Sequence, residues 1–256
     1  MPEAATAWWV LPLFFVVAML YAGVGHGGAS GYLALFALLG VAQSTVVPVA
    51  LTLNVLVATV GWFVYMRRGY FSARLLMPFL VGSIPAAYLG GRIHLSSATF
   101  GVLLGIALVC AALRMLVLRE VRPSAGIDAG RRRRLWSVAI GAVLGLIAGM
   151  VGIGGGIFLS PLLLFLKWAD AKQTAAVSSA FIVLNSLSGL AGHLARESVP
   201  TGPMVLLGTV VFAGGLVGSF AGARYIRSLH LQIILGAVLF LAGGKLLLPL
   251  FVRSGG

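Results

Sequence analysis

The side chains able to do chemistry in this chain sit where water should not reach them. His26 lies in the stretch Gly23 to Gly31, GVGHGGASG, and Asn54 and Asn185 each interrupt an apolar run. Ser30, Ser160, Ser178 and Ser179 are also embedded in apolar sequence. All are neutral hydrogen-bonding groups, and none is a carboxylate. A second glycine knot, GMVGIGGGIFLSP, runs from Gly149 to Pro161. Glycine lets the backbone turn sharply and approach another group closely. A helix that restarts after such a break presents free N–H groups and its positive dipole end to the break. Gly25, Gly27 and Gly28, with Gly152, Gly154, Gly155 and Gly156, therefore frame a candidate site for a small anion. His26, Ser30, Asn54, Ser178, Ser179 and Asn185 supply its donors.

Each of these residues also has a purely structural use. Small residues spaced along apolar helices allow close packing. A mid-membrane asparagine can bond a neighbouring helix, and a serine its own helix backbone. Gly23, Gly25 and Gly28 match the spacing of a dinucleotide-binding fingerprint. That motif needs a preceding strand and an acidic residue about 20 positions on, yet no Asp or Glu occurs between Glu3 and Glu120. An enzyme is excluded on similar grounds. All five acidic residues, Glu3, Glu120, Asp128, Asp170 and Glu197, are terminal or between apolar segments. No histidine pair has ligand spacing and Cys110 is the single cysteine, so neither a metal nor a cofactor is expected. His94 and His230 read as loop residues and His193 as a helix-end residue. Cys110 reads as a small packing residue, and Arg114 and Lys245 as snorkelling side chains near segment ends.

The elements that must position these groups are membrane helices. The chain is 60% hydrophobic and 9% charged, against roughly 45–50% and 25% in soluble domains. Ten apolar segments are expected, at about 8–24, 27–41, 44–66, 74–91, 97–118, 135–151, 154–167, 172–195, 203–224 and 229–251. The first two of each five are short. The net charge of +13 does not point to nucleic acid, because the Lys and Arg fall between spans. With the N-terminus outside, the inside gathers Arg67, Arg68, Arg74, Arg119, Arg122, Arg131 to Arg134, Lys167, Lys172, Arg224 and Arg227. The outside keeps Arg92, Arg196 and Arg253. That bias is the positive-inside signature. It predicts a chain in the cytoplasmic membrane with both termini outside. The N-terminus lacks the basic stretch of a secretory signal and is expected to be retained.

The two sets of five read as one unit used twice. Gly25 and Gly152 are 127 apart, Asn54 and Asn185 131, Arg92 and Arg224 132, Gly105 and Gly236 131, and Arg114 and Lys245 131. An odd number of crossings per unit makes the second enter from the opposite side. The expected fold is an all-α integral membrane protein, an inverted-topology tandem repeat of about 8–10 helical segments with two short glycine-broken helix pairs. Its parts are a first repeat at 8–118, a basic cytoplasmic linker at 119–134 and a second repeat at 135–251.

The knots GVGHGGASGYLA and GIGGGIFLSPLLL, the mid-helix asparagines and the duplication resemble the TauE/SafE family of sulfite exporters and related permeases, over about residues 10–250. The second knot fits the family's pattern through Gly152, Gly154, Gly155, Gly156 and Pro161. The first departs from it: His26 fills the variable position, Ala29 replaces the third consecutive glycine, and Ala34 stands where proline would fall. The resemblance implies secondary transport of a small sulfur-containing anion such as sulfite, a sulfonate, sulfoacetate or thiosulfate. A passive anion channel of the same fold is the alternative. The expected partners are that anion, a coupled proton and the bilayer, and an oligomer is compatible with the sequence. No carboxylate lies within a span, so the proton would travel on the substrate or on His26, the side chain type that titrates near neutral pH.

Overall fold

The computed structural model describes residues 8–41, 43–117, 130–195 and 204–224, with 240, 243–244 and 246–248 beyond them. The described residues form helices in the order α1 (Leu11–Gly23), α2 (Ala29–Leu38), α3 (Gln43–Arg67), α4 (Ala73–Arg92), α5 (Ser97–Val117), α6 (Arg131–Val151), α7 (Gly156–Phe165), α8 (Ala171–Leu194) and α9 (Met204–Arg224). No strand occurs among them. Most of the tenth segment and of the 119–134 linker lies outside the described residues.

Among the described residues, five helices are long and apolar enough to cross a membrane: α3, α4, α6, α8 and α9. Large apolar side chains such as Val205, Val81 and Met77 point outward from them, as a bilayer-facing surface requires. By contrast, α1 has 13 residues and α2 and α7 have 10 each. At about 1.5 Å per residue these fall short of a hydrocarbon core about 30 Å thick. The first segment of the second unit differs from expectation. α6 begins at Arg131 and is 21 residues long, so the four arginines belong to a full-length helix rather than to the linker. Arginine is a good helix former, and its stem reaches back to the membrane surface.

α3 and α8 form the centre. Their spans are 61% and 72% buried, against 33–39% for the other three of these five. α4 packs on α6 and α8, while α9 packs on α1 and α3. Exchanging the first five segments with the second five turns one set of pairings into the other. Two of these interfaces, related by that exchange, bring backbone against backbone, as α4 and α8 also do where Gly91 meets the Gly189 carbonyl and Gly192 that of Tyr88. On α6, the faces of Gly141, Gly145 and Gly149 lie against the carbonyls of Phe79, Ser83 and Ala87 of α4. On α9, those of Gly214, Gly218 and Gly222 lie against Phe15, Met19 and Gly23 of α1. A methyl group at any of these six glycines would collide with main chain, so both seams require the small residue.

Candidate functional site

The two knots share one backbone design. α1 and α6 each end in a turn with a left-handed glycine, Gly25 at φ +78° and Gly152 at φ +79°. In each, the next residue's N–H returns to the preceding helix, His26 to the carbonyl of Tyr21 at 2.9 Å and Ile153 to that of Ala148 at 3.2 Å. The new helix then starts from a second left-handed glycine, Gly28 before α2 and Gly155 before α7. Side chains rarely adopt this conformation. The sequence therefore breaks the helix twice in four residues and exposes the start of the next.

Both breaks are pressed onto the α3–α8 pair, each against the other unit. Gly25 rests on Ala175 of α8, and its carbonyl lies 2.8 Å from the Ser179 hydroxyl. Gly152 rests on Val47 of α3, whose Cγ1 lies 2.6 Å from the place a Cβ would take. The knots meet at Asn54. Its Oδ1 accepts the N–H of Ala29, the first residue of α2, at 3.0 Å, and abuts Gly27. Its Nδ2 donates to the Ser186 hydroxyl at 2.9 Å and lies 2.5 Å from the Cβ position of Gly154. No larger residue fits at Gly27 or Gly154 without displacing this amide.

A second link runs from His26 to α7. Its Nε2 lies 2.9 Å from the Ser160 hydroxyl, which also lies 2.8 Å from the Ser178 hydroxyl and 2.9 Å from the Gly156 carbonyl. His26, Asn54, Ser160, Ser178, Ser179 and Asn185 are all buried. The structure thus gathers Gly25, His26, Gly27, Gly28, Asn54, Gly152, Gly154, Gly155, Gly156, Ser178 and Ser179 around one crossing of α3 and α8. No group of acids, histidines or cysteines able to hold a metal occurs among the described residues.

The chain's family can be read at this point. The family model for sulfite exporter TauE/SafE matches residues 10–246. The chain belongs to the TauE/SafE family. It is 37% identical over 235 residues to the probable membrane transporter protein y4hK of Sinorhizobium fredii, covering 91% of this chain and 95% of that one. It is 25% identical over 238 residues to the probable membrane transporter protein YjnA of Bacillus subtilis, covering 87% and 92%. A sulfite exporter TauE/SafE family protein of Arabidopsis thaliana is 29% identical over 117 residues, 44% of this chain and 26% of that one. No solved structure matches the chain. With its five long apolar helices, this TauE/SafE protein is a multi-pass membrane transporter and not an enzyme.

Two expected site residues of this TauE/SafE protein stand apart from the rest. The Ser30 hydroxyl donates to the Tyr21 hydroxyl at 2.9 Å and ties α2 to α1. Asn185 donates to the Phe181 carbonyl of its own helix at 2.9 Å, and its buried Oδ1 has no hydrogen-bond partner among the described residues. It lies one turn beyond Phe181 and Ile182, which touch Gly155 and Gly156, on the same face of α8.

Other groups around the knots escaped the sequence. Ser186 is the partner of Asn54. Tyr32 and Tyr65 donate to the carbonyls of Gly27 and Gly23, each at 3.1 Å. His193 is buried, with Nε2 3.0 Å from the Gly149 carbonyl, and joins α8 to the end of α6. Cys110 is exposed on α5 and is not a packing residue.

Proposed function

We propose that this transporter is a secondary carrier for a small sulfur-containing anion of the sulfite, sulfonate, sulfoacetate or thiosulfate kind. The anion binds between the two knots and crosses the cytoplasmic membrane. The observation that carries this reading is the meeting of both knots at Asn54, which sets two helix starts against one buried crossing. Helix starts stabilise anions through free N–H groups and the dipole. His26 and the hydroxyls of Ser160, Ser178 and Ser179 add neutral donors. With no arginine or lysine at this crossing among the described residues, the anion is held by hydrogen bonds and released easily, as a carrier requires.

The exchange of helix pairings supports an inverted repeat, and an inverted repeat supports alternating access about a fixed site. In the state described, Asn54 holds the first amide of α2 while the Asn185 carbonyl is unsatisfied. On turnover the roles exchange, with Asn185 taking an amide at the start of α7 and Asn54 releasing its own to the anion. A coupled proton travels on the substrate or on His26. The basic ends support an orientation with both termini outside. Arg68 donates to the Ala223 carbonyl at 3.1 Å, Lys172 to the Tyr70 hydroxyl at 3.4 Å, and Arg133 stacks on Trp168 at 4.1 Å, which draws the inside-assigned charges to one end.

The test is flux from proteoliposomes loaded with labelled sulfite, sulfoacetate, a sulfonate or thiosulfate. Saturable flux of at least one anion, with counterflow, is expected. Non-saturating conductance would make the protein a channel, and no flux of any of the four would end the anion reading.

A further inference from the structure

Away from the knots, a groove of about 830 Å³ opens where α4 and α6 begin. Arg74, the second residue of α4, and Arg133 and Arg134, in the first turn of α6, line its polar end. Cations are normally disfavoured at a helix start, because the dipole there is already positive. Here three of them meet two helix starts. Among the described residues no carboxylate lines the groove, and the α4 N-cap residue, Ser72, makes no capping bond with its side chain. Arg133 is held in place by its stack on Trp168, 4.1 Å from the ring centre. This concentration of positive potential is complementary to an anion with several acceptor oxygens.

Beside Ser72, Ser137 and Gln173, the rest of the wall is apolar, and its α4 side is continuous with the outward surface. Met77 and Val81 follow Arg74 at helical spacing along one face of α4, 59% and 67% exposed. A free phosphate has no use for that wall, whereas a lipid has use for both ends. We propose that this groove binds a phospholipid of net negative charge. Its phosphodiester is gripped by Arg74, Arg133 and Arg134, and an acyl chain lies along Met77 and Val81. Basic pockets between membrane helices at the interface recognise such headgroups.

The experiment uses the full chain purified in detergent and offered equal amounts of phosphatidylglycerol and phosphatidylcholine, with retained lipid counted by native mass spectrometry. Phosphatidylglycerol should be retained preferentially, and Arg74→Gln, Arg133→Gln and Arg134→Gln together should erase the preference, at roughly fivefold per arginine. Millimolar inorganic phosphate should not displace the lipid. Equal retention of the two lipids by the parent protein overturns the proposal. So does a preference that survives in the triple variant, or displacement by inorganic phosphate, which would mark a free-anion site. If the triple variant does not fold, Arg134→Gln alone must lower the preference severalfold. No transport substrate enters this assay, so its outcome is separate from that of the flux test.

Discussion

At the first knot the residue after the left-handed glycine is His26, and the α2 amide beyond it is held by Asn54. At the second the corresponding residue is Ile153, and Asn185, the counterpart of Asn54, bonds its own helix. The Gly25 carbonyl meets the Ser179 hydroxyl. The position 131 residues earlier is Pro48, which has no donor to offer Gly152. One backbone device thus carries two sets of polar partners. The two knots share their backbone and differ in the side chains that meet it.

The largest effect expected is from Gly154→Ala. Its Cβ would collide with Asn54 Nδ2 and Ser186 Oγ, both 2.5 Å away, at a left-handed φ of +69°. Flux should fall by at least about 100-fold, the scale set by a misplacement of about 1 Å. Gly27→Ala, pressing on the same amide from the other knot, should do the same. Parental flux in either variant would mean that the knots do not meet at the transport site.

Asn54→Ala and Asn185→Ala separate the two units next. Asn54→Ala leaves the buried Ala29 N–H unpaired and should cost about 1–3 kcal/mol in thermal unfolding. Asn185→Ala removes one bond and one unsatisfied acceptor, and should cost less than about 1 kcal/mol while still slowing flux. Equal losses of stability would erase the asymmetry between the knots.

His26→Gln keeps a group able to bond Ser160, so saturable binding should persist while the response of flux to an imposed pH gradient is lost. A parental response would place the proton on the substrate. Ser179→Ala removes the hydroxyl beside Gly25 and should cost about 0.5–1.5 kcal/mol, with flux lowered a few-fold. If Ser179→Ala is without effect on flux, the Pro48 counterpart is no handicap and the difference between the knots narrows to Asn54 and His26. The mildest test replaces Asp128 by cysteine in a Cys110→Ala background. The introduced thiol should resist impermeant reagents in intact cells, and ready labelling would reverse the assigned orientation.

Much of this was legible in the sequence because it depends on local spacing. Glycine pairs three residues apart give two left-handed turns and a helix restart. The knot partners from other helices were not legible. Ser186 answers to Val55 in the first unit, so the repeat draws attention away from the residue that bonds Asn54. Tyr65 and His193 reach their carbonyls across tertiary contacts that no spacing encodes, whereas Tyr32 bonds a carbonyl only five residues back. The length of α6 was obscured because its first turn is arginine, which hydropathy assigns to the loop although it continues the helix.

The two glycine seams bear on how the chain holds together. Each joins a helix of one unit to a helix of the other, α4 to α6 and α9 to α1. A chain cut between α5 and α6 would give two fragments, each carrying one side of both seams and unable to bury either alone. Expressed together, they could recover the fold only by assembling with each other. The two halves are thus held to each other by main-chain contact along both seams, whatever the length of the segment that links them.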